Sequence, residues 1–484
     1  MKKNILVLIC AALLLPSCSS FLDEYDPNTL SSGDYYETEA DVRASVYGVY
    51  ASLLQSYYYT QNHFFTDVRG GNSVITDSGA NSGIPYQFYN YTLTEENAYV
   101  YNRYTQIYKT ISRANKVLQH LDDVNYVNPA TRNMYEGEMR FLRALSYFHL
   151  VTEWGDVPLV LEYLSSREKV MKSDVRMPKA KVWKAIFDDL EWVISNSGLP
   201  DRTSEADCGR TCIAAAHALY GKALLQSALE DDFAGNRTEA LTAAVSQLEA
   251  AWAVRGFNKL SDISFADIWN VDTQAKCPEN IFQINAVGGN ESACSVWNYL
   301  YGPTATGITS NRVGGNNNLV TPTFVSLYTP GDARISMLKG TTLSGVSYYH
   351  TMKYADLTTD ADGFGGNNWV VLRYADVALM LAEAWYWQNN PTQATQWLNR
   401  VRARAGLSDF SGLDLKEDIY LQRRLEFVHE GLAWQDALRH YTDDEMIAHY
   451  SSLNINFSRK DLLLPIPYSE RILNPGGLPQ NFGY

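Results

Sequence analysis

The chain has 484 residues, which is enough for a large hydrophobic core and, by length alone, for roughly two to four domains. Its formal charge is -14, from 40 Lys and Arg against 54 Asp and Glu, and this excess of negative charge opposes binding to nucleic acid phosphates or to an anionic membrane surface. Aromatic residues make up 13% of the chain, a supply that suits core packing or a surface that stacks on a flat, partly apolar ligand.

Residues 1–17 have the pattern of a secretory signal peptide. Lys2 and Lys3 precede an apolar run over residues 5–15, which is shorter than the ~20 apolar residues that a membrane-spanning helix needs. The run ends in Leu-Pro-Ser-Cys, which resembles a bacterial lipobox, so Cys18 is expected to become the lipidated first residue of the mature chain. Because Pro16 departs from the commoner small or aliphatic residue, cleavage of an ordinary signal peptide nearby is the alternative.

Residues 18–37 are predicted to be a tether. The acyl chains on Cys18 would hold the protein on a membrane without embedding it, since each buried CH₂ contributes about 0.8 kcal/mol. Asp23 and Glu24 resemble the signal that sends such lipoproteins to the outer face of the outer membrane, although a solvated linker has the same composition.

Residues 38–257 are predicted to form a helical scaffold. Apolar residues recur at intervals of three and four over residues 38–59, 97–121 and 178–196, which is the period of an amphipathic helix. In contrast, residues 62–92 are rich in Gly, Asn, Ser and aromatics, and they are predicted to form a long, functional loop. Several aromatic residues can simply hold this loop against the scaffold: Tyr86, Phe88, Tyr89 and Tyr91.

A buried helix organises the first half of the chain. Asn128 and Pro129 mark its start, because Asn caps helices and Pro is tolerated at their first position. Its end is RFLRALSYFHLVTEWGDVPLV, from Arg140, in which small and large apolar residues widen the helical stripe. Gly155 can adopt the left-handed conformation that closes the last turn, and Pro158 prevents the helix from resuming.

Two helical pairs with tetratricopeptide-like packing follow from an internal repeat. The first is CIAAAHALYGKALLQSALE with EALTAAVSQLEAAW, and the second begins at Leu372 with LRYADVALMLAEAW. Small residues such as Ala218 and Gly221 permit close approach of the paired helices. Asn390 and Pro391 start the last helix of the second pair, within a C-terminal segment of helical pairs over residues 370–484.

Residues 258–369 lack a sustained helical period and are predicted to be a loop-rich, mixed insertion that carries the ligand face. In an extended chain, Trp297, Tyr299 and Tyr301 would project to one side as an aromatic strip. The faces of pyranose rings pack on aromatic planes, and nearby side chains can bond the hydroxyls: Asn298, Asn311 and Arg312. A strand that buries the three aromatics is an equal alternative.

Several quoted segments together resemble the SusD/RagB family of surface lipoproteins that bind nutrients, usually glycans. They are RFLRALSYFHLVTEWGDVPLV, CSSFLDEYDPN, LRYADVALMLAEAW, LQRRLEFVHEGLAWQDALRH and LLPIPYSERILNPGGLPQNFGY. The resemblance implies a mainly α, tetratricopeptide-like, SusD-like scaffold. Asp67, Arg69 and Asn72 fall in a region that resembles the one the family uses beside its ligand, and a local Asp-Arg turn contact is the alternative.

The resemblance further implies a non-enzymatic binding protein on the exterior of the outer membrane. It would capture an oligosaccharide or polysaccharide and deliver it to a SusC-like TonB-dependent transporter. A peptide ligand is the first alternative, and a structural scaffold without ligand is another. A surface glycosidase is a third alternative, because two carboxylates suffice for that chemistry and no motif identifies them.

No cofactor is predicted from the sequence. Asp356 and the run Asp360-Ala361-Asp362-Gly363 suit a calcium loop, but the later positions do not complete an EF-hand, and a Gly-rich turn is favoured. Cys208 and Cys212 have only His217 nearby, which disfavours zinc. Export permits disulfides, and the sequence leaves open whether Cys208, Cys212, Cys277 and Cys294 are packed or paired.

Overall fold

A computed structural model describes residues 35–301, 318–356 and 364–484. Their longer helices are α1 Glu39–Leu53, α2 Ala98–His120, α3 Pro129–Trp154, α4 Arg167–Ser173, α5 Lys179–Asn196, α6 Ile213–Ala228, α7 Arg237–Ala253, α8 Tyr374–Trp387, α9 Pro391–Arg404, α10 Leu415–Glu426, α11 Ala433–His440 and α12 Asp443–Leu453. The predicted mainly α fold is confirmed.

The helix ends follow the local sequence signals. Thr38 begins α1 with a capping box to Asp41, and Asn128 caps α3 with Pro129 in its first turn. The α3 helix ends at Gly155 as predicted, and its φ of 73° favours glycine, but its ψ of -116° is not that of the predicted left-handed cap. The α1 helix ends earlier than predicted, because residues 56–60 take a π-helical turn that buries Tyr58 and Tyr59.

The helical pairs α6–α7 and α8–α9 pack as closely as the small residues predicted. A Cβ atom added at Gly221 of α6 would lie 2.5 Å from Cγ of Leu248 in α7. In the second pair, Ala378, Leu381 and Val401 are each fully buried. Among the described residues, no helix has both the length and the apolar character needed to cross a membrane.

Three small antiparallel sheets lie between and beside the helices in the described residues. β1 Val157–Pro158 pairs with β2 Arg176–Met177. β3 Asn280–Ile284 pairs with β6 Trp369–Arg373, and β4 Leu338–Leu343 forms a hairpin with β5 Val346–Thr351. The β3–β6 pair leads directly into α8, so residues 258–369 rest on the second helical pair through this sheet. The predicted segment boundaries, at residues 38–257, 258–369 and 370–484, stay predictions.

Candidate functional site

Residues 297–301 do not form the predicted extended strip. Trp297–Leu300 is one turn of helix, and the backbone N–H of Tyr301 donates to the carbonyl of Trp297. This spacing of four residues places Trp297 and Tyr301 on the same face, where both are buried. The prediction of an exposed strip is wrong because a single helical turn is too short to produce a recognisable period.

Trp297 and Tyr301 join a buried aromatic layer with Tyr354 and Trp369. The rings of Tyr354 and Trp369 are parallel within 2° at 5.2 Å, and Trp297 lies 5.2 Å from Trp369. Tyr301 contacts Tyr354 at 5.2 Å. None of the four side chains exceeds 1% exposure, so in this conformation the layer presents no surface to a sugar.

Histidines extend this layer on the side of the long loop. His63 lies 5.2 Å from the Tyr301 ring and His429 lies 5.6 Å from it. Burial lowers the pKa of His63 to about 3, and burial together with the charge of Lys353 lowers the pKa of His429 well below its ordinary value. Both imidazoles are therefore neutral at physiological pH.

The side chains of Asp67, Arg69 and Asn72 are buried and contact the C-terminal segment rather than one another. Asp67 accepts the backbone N–H groups of His429 and Gly431 at 3.2 and 3.0 Å. The Arg69 guanidinium lies 3.8 Å above the Trp434 ring. Asn72, Arg69 and Asp67 are each at most 3% exposed, so this part of the loop is fixed to the scaffold. Their predicted ligand roles stay untested.

The carboxylate of Asp67 has an unusual pKa. Burial raises it from 3.8 to about 7, although the two backbone N–H groups and Lys353 act in the opposite direction. The two backbone N–H groups and Lys353 therefore offset only part of the cost of burying the Asp67 charge. This carboxylate connects the aromatic layer to the long loop.

A buried ionic network holds residues 258–369 against the C-terminal helices. Arg373 at the end of β6 pairs with Glu279 and Glu426 at 2.8 Å each and with Glu430 at 2.7 Å. Lys353, after β5, also pairs with Glu430. Burial alone would raise the pKa of Glu426, but Arg404, Arg373 and Arg334 lower it to about 2.

Half-exposed tyrosines cover the outer side of the long loop. Tyr86–Tyr89 is a helical turn in which Phe88 is buried between Phe64 and Phe65, while Tyr86 and Tyr89 remain partly exposed. The β5 residue Tyr348 is a neighbour, because burial and the hydroxyls of Tyr86 and Tyr348 raise the pKa of Tyr89. We call these three residues the tyrosine face: Tyr86, Tyr89 and Tyr348.

Amide side chains lie beside the tyrosine face. Tyr57 packs edge to face on Tyr99 at 5.1 Å, and the Tyr99 hydroxyl accepts a hydrogen bond from Asn81 at 3.0 Å. Asn97 caps α2 and donates to Gln87 at 2.8 Å. Partly exposed rings with adjacent amides can stack on an apolar ring face and bond hydroxyl groups.

The loop under the tyrosine face has a strained backbone. Asn81, Ser82 and Tyr91 have φ values of 49°, 59° and 52°, so half of the six non-glycine residues with positive φ in the described part of the chain lie here. Each such residue typically costs about 1–3 kcal/mol, and such strain concentrates at functional sites. From the sequence, Tyr86 and Tyr89 were expected only to pack the loop against the scaffold. The aromatic run PYQFYNY, which follows Asn-Ser-Gly at residues 81–83, is the sequence feature that could have indicated this exposed aromatic surface.

Other predicted site residues lie outside the described part of the chain. These are Cys18, Asn311, Arg312, the Tyr299 side chain and residues 360–363. Asp356 accepts the backbone N–H of Gly366 at 3.1 Å. Cys208, Cys212, Cys277 and Cys294 are free thiols. No group of three metal-ligating side chains occurs within the described ranges.

The fold and this surface define a class: a helical-pair scaffold that carries a loop-rich insertion and an aromatic face. Two family models match the chain, described as "SusD family" over residues 323–484 and as "Starch-binding associating with outer membrane" over residues 20–225. The chain belongs to the SusD/RagB family.

A relative aligns along the whole chain, and solved structures share its fold over most of its length. SusD-like protein P2 of Formosa agariphila is 27% identical, and the alignment covers 100% of both chains. Surface glycan-binding protein A of Bacteroides thetaiotaomicron, solved in complex with laminarihexaose, has a TM-score of 0.76 at 21% identity and covers 92% of this chain and 99% of its own. A laminarin binding SusD-like protein has a TM-score of 0.76 at 24% identity, covering 93% and 100%.

Proposed function

We propose that the protein is a non-enzymatic glycan-binding lipoprotein of the cell surface, anchored to the outer membrane through Cys18. The observation that carries this proposal is the tyrosine face. Two of its rings, Tyr86 and Tyr89, are partly exposed on a strained loop, and the preceding part of that loop is fixed by Asp67, Arg69 and Asn72. A prearranged aromatic surface loses little conformational entropy when a sugar binds.

The relatives support a glycan as the ligand. Solved structures of the same fold bind laminarin or laminarihexaose, and the N-terminal family model is described as starch-binding. We infer that a neutral glucan is the first ligand to test. The net charge of -14 disfavours an anionic polysaccharide.

We further propose that the captured glycan is delivered to a SusC-like TonB-dependent transporter in the same membrane. The paired helices α6–α9 provide a broad, rigid surface of the kind that binds a large partner. Cross-linking of the full-length lipoprotein in native outer membranes tests this step. A covalent complex with a TonB-dependent transporter is expected, and recovery of the uncross-linked protein alone would contradict delivery.

The glycan ligand is tested by affinity gel electrophoresis of a soluble protein that starts at Ser19. Laminarin and starch are embedded in separate gels, with a gel lacking glycan as reference. We expect one glycan to slow the protein, and Tyr86→Ala with Tyr89→Ala to restore its mobility. Even a dissociation constant near 1 mM, about -4 kcal/mol, is detectable in this way.

Tyr47→Ala is the matched control, because Tyr47 is a tyrosine of α1 with 48% exposure and lies outside the tyrosine face. It should leave the retardation unchanged. Retardation that survives the Tyr86 and Tyr89 substitutions would move the site elsewhere. If neither glucan slows the protein but a peptide library binds, the peptide alternative replaces the glycan. Release of reducing sugar during incubation would identify a glycosidase instead.

A further inference from the structure

A cavity separate from the tyrosine face lies between the start of α6, strand β3 and the start of α8. Its volume is about 120 Å³, and no residue of the tyrosine face lines it. Since one water needs only about 10–15 Å³ of such space, several waters or a group of sulfate size fit inside. We call it the α6 cavity, and the lining residues that matter here are Arg202, Glu205, Cys212, Lys276, Cys277 and Tyr374.

Tyr374 supplies a fixed hydrogen-bond donor to the α6 cavity. Its ring is held edge to face by Trp252 at 5.9 Å and by Phe257 at 5.3 Å. The side chain is 1% exposed, and its hydroxyl has no hydrogen-bond partner among the described residues. A buried polar group without a partner typically costs about 1–3 kcal/mol, so a ligand that accepts this hydrogen bond would recover that energy.

Arg202 supplies positive charge. Its guanidinium lies directly over Gly256, where an added Cβ would be 1.6 Å from Nη1. Arg202 lines the cavity, and its charge acts on both Tyr374 and Cys212. In the part of the chain that the structure describes, Arg202 has no ion-pair partner. A guanidinium fork in this setting matches an oxyanion.

The first turn of α6 adds to the positive potential. The backbone N–H groups of Ile213 and Ala214 in this turn already donate to the carbonyls of Pro200 and Asp201, so this end of α6 contributes only the positive end of its dipole. Lys276 is an exposed cation at the rim, and Glu205 is an exposed carboxylate there. Burial raises the pKa of the Cys212 thiol and raises that of Cys277 to about 12, so both thiols are neutral and do not oppose an anion.

We propose that the α6 cavity binds a small oxyanion, held by the Arg202 guanidinium and the Tyr374 hydroxyl near the positive end of the α6 dipole. The ligand is a tetrahedral oxyanion such as sulfate or phosphate, or a small carboxylate with the same acceptor geometry. This site is separate from the tyrosine face and does not depend on the glycan proposal.

Thermal unfolding of the protein that starts at Ser19 tests the proposal. Sulfate, phosphate and acetate are each titrated up to about 20 mM, with sodium chloride added to keep the ionic strength constant. A ligand that binds only the folded state raises the melting temperature in a saturable manner. We expect saturation with one of these anions, and acetate as the active anion would assign the site to carboxylates.

Three variants locate the effect. Arg202→Met should lower the affinity for the anion at least tenfold. Tyr374→Phe should lower this affinity about threefold to tenfold while the ring keeps its packing. Gly256→Ala keeps every charge but displaces the guanidinium, so it should also weaken binding. Arg167→Met, which removes an exposed arginine of α4, should leave the titration unchanged.

A crystal soaked in selenate gives an independent readout. An anomalous peak between Arg202 and Tyr374 is expected. An equal, unsaturable rise of the melting temperature in all variants would show a general salt effect and overturn the proposal. So would the absence of both a saturable shift and an anomalous peak. If Arg202→Met does not fold, Tyr374→Phe and Gly256→Ala decide the question.

Discussion

The buried aromatic layer and the tyrosine face use the same kinds of side chain in opposite ways. In the layer, Trp297, Tyr301, Tyr354 and Trp369 are at most 1% exposed and contact one another. In the tyrosine face, the rings are only half-buried, and amide groups surround them. Aromatic content alone therefore does not identify a ligand surface, because burial decides whether a ring face is available.

The two regions are joined by the fixed part of the long loop. Phe64 packs on His63 in the layer at 3.9 Å and on Phe88 under the tyrosine face at 6.0 Å. Asp67 ties the same segment to the turn that contains His429. Rigid packing below thus allows the strained loop above to keep one conformation.

The largest expected effect is on the stability of the layer. Trp369→Ala should lower the free energy of unfolding by about 3–5 kcal/mol, because it leaves a cavity beside three other aromatic rings. Urea unfolding at equilibrium measures this. Trp192→Ala, at a half-buried position of α5, is the control and should cost much less. A loss below about 1 kcal/mol for Trp369→Ala would show that the layer is not a packed core.

Asp67 should produce a pH dependence of stability. Its folded pKa of about 7 lies above the ordinary value of 3.8, so the folded state holds a proton that the unfolded state has released. The resulting stabilisation is complete below the unfolded pKa and is lost as pH rises through about 7, with a slope of at most about 1.4 kcal/mol per pH unit. Asp67→Asn should remove this slope between pH 4 and 7, and identical slopes in both proteins would refute the assignment.

A smaller effect is expected when the hairpin contributes to the tyrosine face. Tyr348→Ala should weaken binding of the glycan threefold to tenfold, about 0.7–1.4 kcal/mol, without changing the free energy of unfolding beyond about 0.5 kcal/mol. Isothermal titration calorimetry and urea unfolding of the same variant measure the two quantities. Unchanged affinity would show that only the long loop, residues 62–92, forms the binding surface.

The smallest effect separates hydroxyls within the core. The Tyr301 hydroxyl has no partner in the described residues, whereas the Tyr58 hydroxyl donates to Ser146 at 3.0 Å. Tyr301→Phe should therefore be neutral or slightly stabilising, and Tyr58→Phe should cost about 0.5–1.5 kcal/mol. Urea unfolding of both variants gives the comparison. A larger loss for Tyr301→Phe would indicate that its hydroxyl is bonded in solution.

Local sequence signals predict most of the helical framework. Asn128 with Pro129, Gly155, and Asn390 with Pro391 specify helix ends through contacts within a few residues, and the structure places them as predicted. The small residue Gly221 likewise predicted a closely packed helix pair, and the structure shows one. Such signals are readable because capping, backbone freedom and helical period are local properties.

Which aromatic residues are exposed depends on contacts between distant parts of the chain. Trp297 and Tyr301 are buried because Tyr354 and Trp369, more than 50 residues away, complete the layer. Asp67 is held by backbone groups 362 and 364 residues distant. Burial is a sum over contacts between segments far apart in the chain, and no local pattern in residues 62–92 or 297–301 specifies those contacts.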